Sequence, residues 1–380
     1  MIYFDNSATT KPFKEVLDSF MKVSSEFFGN PSSLHGIGAT AEKLLSQARM
    51  QIAGLLEVEA EEICFTSGGT ESNNLALKGA AAAYRTRGNH LITTAVEHAS
   101  VRESFNQLEK HGYKVTFLPV DTQGRVSPAD IRDAMTDETI LVSVMHVNNE
   151  TGTIQPIEEI GQMLRAFPKV LFHVDGVQGA GKIPLNLKEA EVDMYSFSAH
   201  KFHGLKGSGG LYIKKGIRLE PLLSGGSQEN LRRGGTENPA GAVAMAKALR
   251  ISLEQRTERL DTMNEIRAKL MDGLDEMKGV AINTPLAGAA PHIINFSVPG
   301  IKAETFVHSL EEMGIYVSTT SACSSKKKTA SRTLLAMGVD DELASSAVRI
   351  SLSFENTLEE AKNVLLAIEK TVAKLGKVLK

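Results

Sequence analysis

With 380 residues, 42% hydrophobic and 23% charged, the chain carries enough apolar material for a large core, and its length suggests two domains. A formal net charge of -3 excludes a general electrostatic footprint for nucleic acid or an anionic membrane, so neither is an expected direct partner. Two cysteines, Cys64 and Cys323, cannot build a disulfide framework, and the N-terminal residues read as neither signal peptide nor span, so a cytoplasmic setting is expected.

From Lys11 to about Arg250, short β-branched runs alternate with amphipathic stretches, the pattern of a parallel α/β sheet. Strands are expected at Glu62 to Thr66, Asn89 to Thr93, Lys114 to Pro119, Leu141 to His146, Val170 to Val174 and Met194 to Phe197. Several are apolar almost throughout, as strands covered on both faces should be. A long helix opens at Asn238-Pro239, where Asn suits the cap and Pro the first turn, and carries Leu249, Leu253, Leu260, Met263, Ile266, Leu270 and Leu274. It bridges to a smaller unit with an extended run at His292 to Val298, a helix at Ala303 to Met313 and a strand at Ile315 to Ser318. A final helix opens at a Thr357 to Glu360 capping box.

Two nucleotide-like motifs lack their context. Gly36-Ile37-Gly38-Ala39-Thr40-Ala41 fits a dinucleotide fingerprint but follows a turn-rich segment instead of a strand. Gly176 to Lys182 fits most of a Walker A loop, yet Ile183 stands where a magnesium-binding hydroxyl belongs.

Three other segments carry chemistry. Cys64 to Asn74 reads as a strand that breaks at Gly68-Gly69 and restarts as a helix, so close backbone approach, the Thr70 hydroxyl and a helix N-terminus suit a phosphate monoester, or merely a capped helix. Asp175 follows a buried strand, where open parallel sheets place ligands; it could keep a pyridinium nitrogen protonated, or simply form a turn. Lys201 leaves a strand end at Ser198-Ala199-His200, among small residues and glycines, the setting of an amine used for carbonyl chemistry as well as of a surface lysine.

A phosphate loop, an aspartate and a lysine in that chain order resemble the fold-type I pyridoxal-phosphate enzymes. Gly29 to His35, Met145 to Gly152, Ser198-Ala199-His200-Lys201, Arg233-Gly234-Gly235-Thr236 and Ser321-Ala322-Cys323 are similar to cysteine desulfurases within them. The resemblance implies an α/β fold with a mostly parallel seven-stranded sheet in a large domain, residues 15–255, and a smaller α+β domain, residues 1–14 and 256–380, carrying the cysteine loop. It implies pyridoxal 5'-phosphate as cofactor, L-cysteine as substrate and no metal. By the same resemblance, Lys201 holds the cofactor and shuttles protons, His98 stacks on its ring, Asp175 meets the ring nitrogen, and Gln178 and Asn149 approach the phenolic oxygen. Gly69, Thr70, Ser198 and His200 hold the phosphate, with Thr236 joining from the neighbouring subunit of a homodimer. Arg349, with Asn149, binds the substrate carboxylate, and Cys323 receives the sulfur as a persulfide.

Cys323 lies among small, polar and basic residues, a setting that favours thiolate, whereas Cys64 lies in an apolar strand and reads as a core thiol. Three departures stand out: Leu205 where relatives carry proline, Asn6-Ser7 before Ala8-Thr9-Thr10, and Lys326, Lys327 and Lys328 after Cys323 in place of the Leu-Glu-Pro-Ser of the iron-sulfur branch. The basic run points to a sulfur-acceptor protein that is acidic or tRNA-bound, such as a tRNA-thiolation enzyme, or is only a solvated charge run; by the resemblance, an iron-sulfur scaffold or the synthesis of another thio-cofactor is the alternative destination. A related aminotransferase or selenocysteine lyase, or a nucleotide-binding scaffold, are the competing expectations.

Overall fold

The apolar runs fold into strands that are covered on both sides. Every residue of Thr139–Met145, Leu171–Asp175 and Met194–Ser198 is buried, and neighbouring side chains go to opposite faces: Leu141 and Leu171 into one core, Val142 and Phe172 into the other. The computed structural model describes residues 1–319 and 330–376. Its central sheet has seven strands, in the spatial order Ile63–Thr66, Gly209–Ile213, Met194–Ser198, Leu171–Asp175, Thr139–Met145, His90–Thr94 and Lys114–Leu118. Gly209–Ile213 is antiparallel to both its neighbours, and the remaining pairings are parallel. The helices Gly69–Ala83 and Ala99–Lys110 pack on one face; Lys14–Glu26, Gly36–Leu55 and Ile157–Leu164 pack on the other.

Six of these strands coincide with the expected ones, their ends shifted by one or two residues. The seventh, Gly209–Ile213, is a strand that the sequence pattern hides behind two glycines. Both are there for contact and not for flexibility: a Cβ on Gly209 would lie 2.5 Å from the Gly68 backbone, and one on Gly210 would lie 2.3 Å from the Phe197 ring.

The helix Pro239–Asp275 has 37 residues and is capped by Asn238, whose Oδ1 accepts from the Gly241 N–H at 2.9 Å. At 1.5 Å per residue it is about 55 Å long. Ala242 to Leu249 enter the core of the large sheet, while Met263, Ile266, Leu270 and Leu274 enter a second core. That second core covers a four-stranded antiparallel sheet, ordered Ser318–Thr319, Ala347–Ser351, Ile293–Ser297 and Ala281–Ile282. The expected strand at Ile315 to Ser318 is in fact two: Ile315–Tyr316 pairs with Ile2–Tyr3, and Ser318–Thr319 joins the four-stranded sheet. The helix expected from Ala303 ends at Glu311, and Leu358–Gly376 opens with the expected capping box, Thr357 and Glu360 exchanging hydrogen bonds at 3.0 and 3.2 Å. No helix among the described residues is long and apolar enough to cross a membrane.

Both nucleotide-like motifs have structural explanations. Gly36 opens the helix Gly36–Leu55 behind a turn, and Gly38 is small because a Cβ there would lie 2.4 Å from the Ser33 carbonyl. Gly176 to Lys182 coils in tight turns against His146, leaving Lys182 buried with no hydrogen-bond partner for Nζ among the described residues. Burial, then Lys201 and Arg349, pull its amine down to about 7.

Candidate active site

Six strands run in one direction and release the chain at the same sheet edge, their carboxyl ends, where the register sets Met145 beside Asp175 and Asp175 beside Ser196. Ligands bind at such an edge because backbone groups leave the ladder there and side chains converge from successive loops. Here they line a cavity of about 1330 Å³. It collects Gly69 and Thr70 from the first strand's exit, His98 from the next, Asn149, then Asp175 and Gln178, then Ser198, His200 and Lys201; Arg349 joins from the four-stranded sheet. Ten residues expected in the site thus share one cavity. Thr236 is exposed and outside it, and Cys323 and Lys326 to Lys328 lie outside the described residues.

The helix Gly69–Ala83 starts without a side-chain cap, so the N–H groups of its first turn keep their donor capacity at the positive end of the helix. Gly68 has φ 153° and Gly69 sits so close to Val177 that a Cβ would lie 2.5 Å from Cγ2. The strand-to-helix turn is therefore a cradle with no room for side chains at its floor.

Asp175 is buried and held from two sides: Oδ2 accepts from Asn73 Nδ2 at 2.8 Å, and Oδ1 accepts from the Val177 N–H at 3.1 Å. His98 is both a helix-start histidine and a cavity residue. Its Nδ1 accepts from the Ser100 N–H at 3.1 Å, and burial holds the imidazole below its ordinary pKa. His200 is likewise pulled down, to about 4, by burial and then by Lys201, Lys206 and Lys182. Lys201 Nζ donates to the carbonyls of Ser7 at 2.6 Å and Ala8 at 2.9 Å, and Gln178 Nε2 donates to the same Ser7 carbonyl at 2.9 Å. Arg349, buried on its strand, pairs with Asp5 at 3.0 Å and donates to the Asn149 carbonyl at 2.8 Å.

Several cavity groups carry no role in the sequence reading although they sit inside its motifs. Asn73 lies one turn past the glycines, Glu97 immediately before His98, and Glu150 after Asn149. Glu97 is buried, and its carboxyl is pushed up to about 8, chiefly by burial. It accepts from Thr94 Oγ1 at 2.8 Å and the Met145 N–H at 3.0 Å. Glu150 is also raised by burial and accepts from Ser331 Oγ. For Glu97 and Glu150 adjacency to a named residue was the one available signal, and it carries no role by itself; Asn73 had none, and burial was not readable.

Residues 2–364 match the model of the family described as aminotransferase class-V. The chain is 50% identical over 380 residues to a NifS/IcsS protein homolog of Lactobacillus delbrueckii subsp. bulgaricus, covering 100% of this chain and 99% of that one. It is 42% identical to the cysteine desulfurase IscS of Dictyoglomus turgidum over 375 residues, 98% of this chain and 95% of that one.

The chain belongs to the class-V aminotransferase family, among its cysteine desulfurases.

A solved NifS-like protein has the same architecture, with a TM-score of 0.93 at 42% identity, covering 98% of this chain and 99% of that one. Class-V aminotransferases use pyridoxal 5'-phosphate, and this member is a pyridoxal-phosphate-dependent enzyme of the cysteine desulfurase type. The cavity fits that cofactor: an uncapped helix start over a side-chain-free cradle suits the phosphate, a twice-anchored buried aspartate suits a protonated ring nitrogen, and a lysine stands at the strand exit beside them.

Proposed function

We propose that this enzyme takes sulfur from L-cysteine, leaves alanine, and carries the sulfur as a persulfide on Cys323 to an acceptor protein. The observation that carries the reading is the single cavity that joins Lys201, Asp175 and the phosphate cradle to Arg349. Bound pyridoxal phosphate supplies an electron sink at the substrate α-carbon. Gly69, Thr70, Ser198 and His200 would hold its phosphate, Asp175 its ring nitrogen, and Gln178 and Asn149 its phenolic oxygen. His98, whose imidazole burial holds below its ordinary pKa, would face that ring.

Lys201 removes the α-proton and later returns a proton to the carbon skeleton. Arg349 and Asn149 hold the substrate carboxylate, a task that suits the planar fork of a guanidinium. The Cys323 thiolate attacks the substrate sulfur: the new S–S bond forms as the C–S bond breaks, and the carbon fragment leaves as alanine after protonation. The persulfide then goes to an acidic or tRNA-bound acceptor, such as a tRNA-thiolation enzyme, which the basic run at Lys326 to Lys328 would favour; an iron-sulfur scaffold is the other candidate class.

A homodimer completes each site with Thr236 of the neighbouring copy. Thr236 is exposed, on a segment fixed to the phosphate-loop helix by the Arg233–Glu71 pair at 2.9 Å, and the exposed Phe28, Leu34 and Ile37 offer apolar surface for such a contact. The separate cores joined by Pro239–Asp275 support a division into residues 15–255 and 1–14 with 256–380. The test is Cys323→Ser: the visible band of the bound cofactor should remain while alanine formation from L-cysteine is lost. Undiminished turnover would overturn the assignment, and alanine release accompanied by free sulfide in the variant would favour a lyase that does not need this thiol.

A further inference from the structure

Asp5, a residue outside every role described above, touches the guanidinium on which substrate binding depends. Arg349 Nη2 donates to Asp5 Oδ1 at 3.0 Å, Nη1 donates to the Asn149 carbonyl at 2.8 Å, and Nε is buried with no partner among the described residues. A guanidinium has five donors in a rigid plane, so two fixed acceptors on different nitrogens determine how the plane is turned and which edge stays available. The arginine is buried, and a buried cation without a nearby anion is costly; Asp5 is the one carboxylate paired with it among the described residues.

The aspartate is itself held by the fold. Residues 4 to 7 run beside the strand Ala347–Ser351: the Ser351 N–H donates to the Phe4 carbonyl at 2.7 Å, the Asn6 N–H to the Ser351 carbonyl at 3.2 Å, and the Ser7 N–H to Ser351 Oγ at 2.8 Å. The Asp5 carbonyl accepts from the Ala8 N–H at 3.1 Å, closing the turn. Two residues on, the Ser7 carbonyl receives both Lys201 and Gln178. One short segment thus carries the counter-charge of Arg349 and the hydrogen-bond acceptor of Lys201.

We propose that Asp5 is a positioning residue that orients Arg349 for the substrate carboxylate. This rests on the reading of Arg349 as the carboxylate clamp. Asp5 turns the guanidinium so that its remaining Nη donors meet an incoming carboxylate, and it keeps the cation compensated before substrate arrives.

The experiment compares L-alanine with ethylamine, the same amine lacking the carboxylate, by titrating the visible band of the holoenzyme. In Asp5→Ala, alanine affinity should fall about tenfold and ethylamine affinity should not change, and KM for L-cysteine should rise with kcat within about threefold of the parent. Asp5→Asn, nearly isosteric and still an acceptor, should lose about threefold on alanine alone, which covers the case in which the alanine variant does not fold. Equal losses on both amines, or none on either, would overturn the proposal. Arg349→Lys separates the layers. If it leaves alanine binding unchanged, the clamp reading is wrong; if it weakens alanine selectively while both Asp5 variants match the parent, only the role of Asp5 fails.

Discussion

Glu97→Gln is the substitution whose effect is best worked from the structure. The carboxyl is buried, with Oε1 accepting from Thr94 and the Met145 N–H, and Oε2 without a partner among the described residues, so that an ionised Oε2 would have no donor to offset its charge. Burial raises its pKa from 4.5 to about 8, with Asp175 adding to the rise and the two hydrogen bonds opposing it. The folded state therefore binds this proton more tightly than the unfolded chain. Its contribution to stability is fully present below 4.5 and is lost as pH climbs to about 8. Each unit is worth about 1.4 kcal/mol, so the whole window amounts to about 5 kcal/mol, an upper bound if the interior relaxes around the charge. That is a large part of the roughly 5–15 kcal/mol that holds typical domains folded. Glutamine keeps the acceptor and cannot ionise. Urea titrations of parent and variant holoenzyme should agree to within about 1 kcal/mol near pH 5 and diverge with rising pH, until the variant is more stable by about 3–5 kcal/mol above pH 8. Parallel stability curves across that range would refute the picture of a proton trapped on Glu97.

Two further outcomes are expected. Gly69→Ala pushes a methyl group to within 2.5 Å of Val177 Cγ2 at the cradle floor, so the dissociation constant for pyridoxal phosphate, read from absorbance, should rise by about tenfold or more; unchanged affinity would dismiss the cradle as the phosphate site. Cys64 is buried in an apolar strand and burial pushes its thiol up, so iodoacetamide should leave it unmodified in native Cys323→Ser protein and label it only after denaturation; native-state labelling at the rate of an exposed thiol would contradict its core position.

The sheet was legible because buried parallel strands announce themselves as apolar runs, and six of seven appear that way. Gly209–Ile213 does not, because its first two residues were selected by the Phe197 ring and the Gly68 backbone, contacts that no local pattern encodes. In the site, residues that follow strands, such as Asp175 and Lys201, could be found from position alone. Asp5, Asn73 and Glu97 could not. Their importance comes from what lies beside them, Arg349 at the far end of the chain, Asp175 about a hundred residues on, and a cavity wall that strips water from a carboxyl. Local sequence specifies where a turn occurs; only tertiary packing specifies which polar group it leaves buried.

Pairing the segment around Asp5 with the strand of Arg349 also has a temporal consequence. During synthesis the aspartate leaves the ribosome long before its partner, 344 residues later in the chain, is made. The large sheet can assemble first, because its strands lie between residues 63 and 213 and its connections are short by comparison. A nascent chain of that length already contains the cradle, Asp175 and Lys201, while the carboxylate clamp and its counter-charge do not yet exist as a pair. On the proposed roles, the groups assigned to the cofactor's ring and aldehyde are thus synthesised before the arginine assigned to the substrate carboxylate and before the ion pair that would orient it.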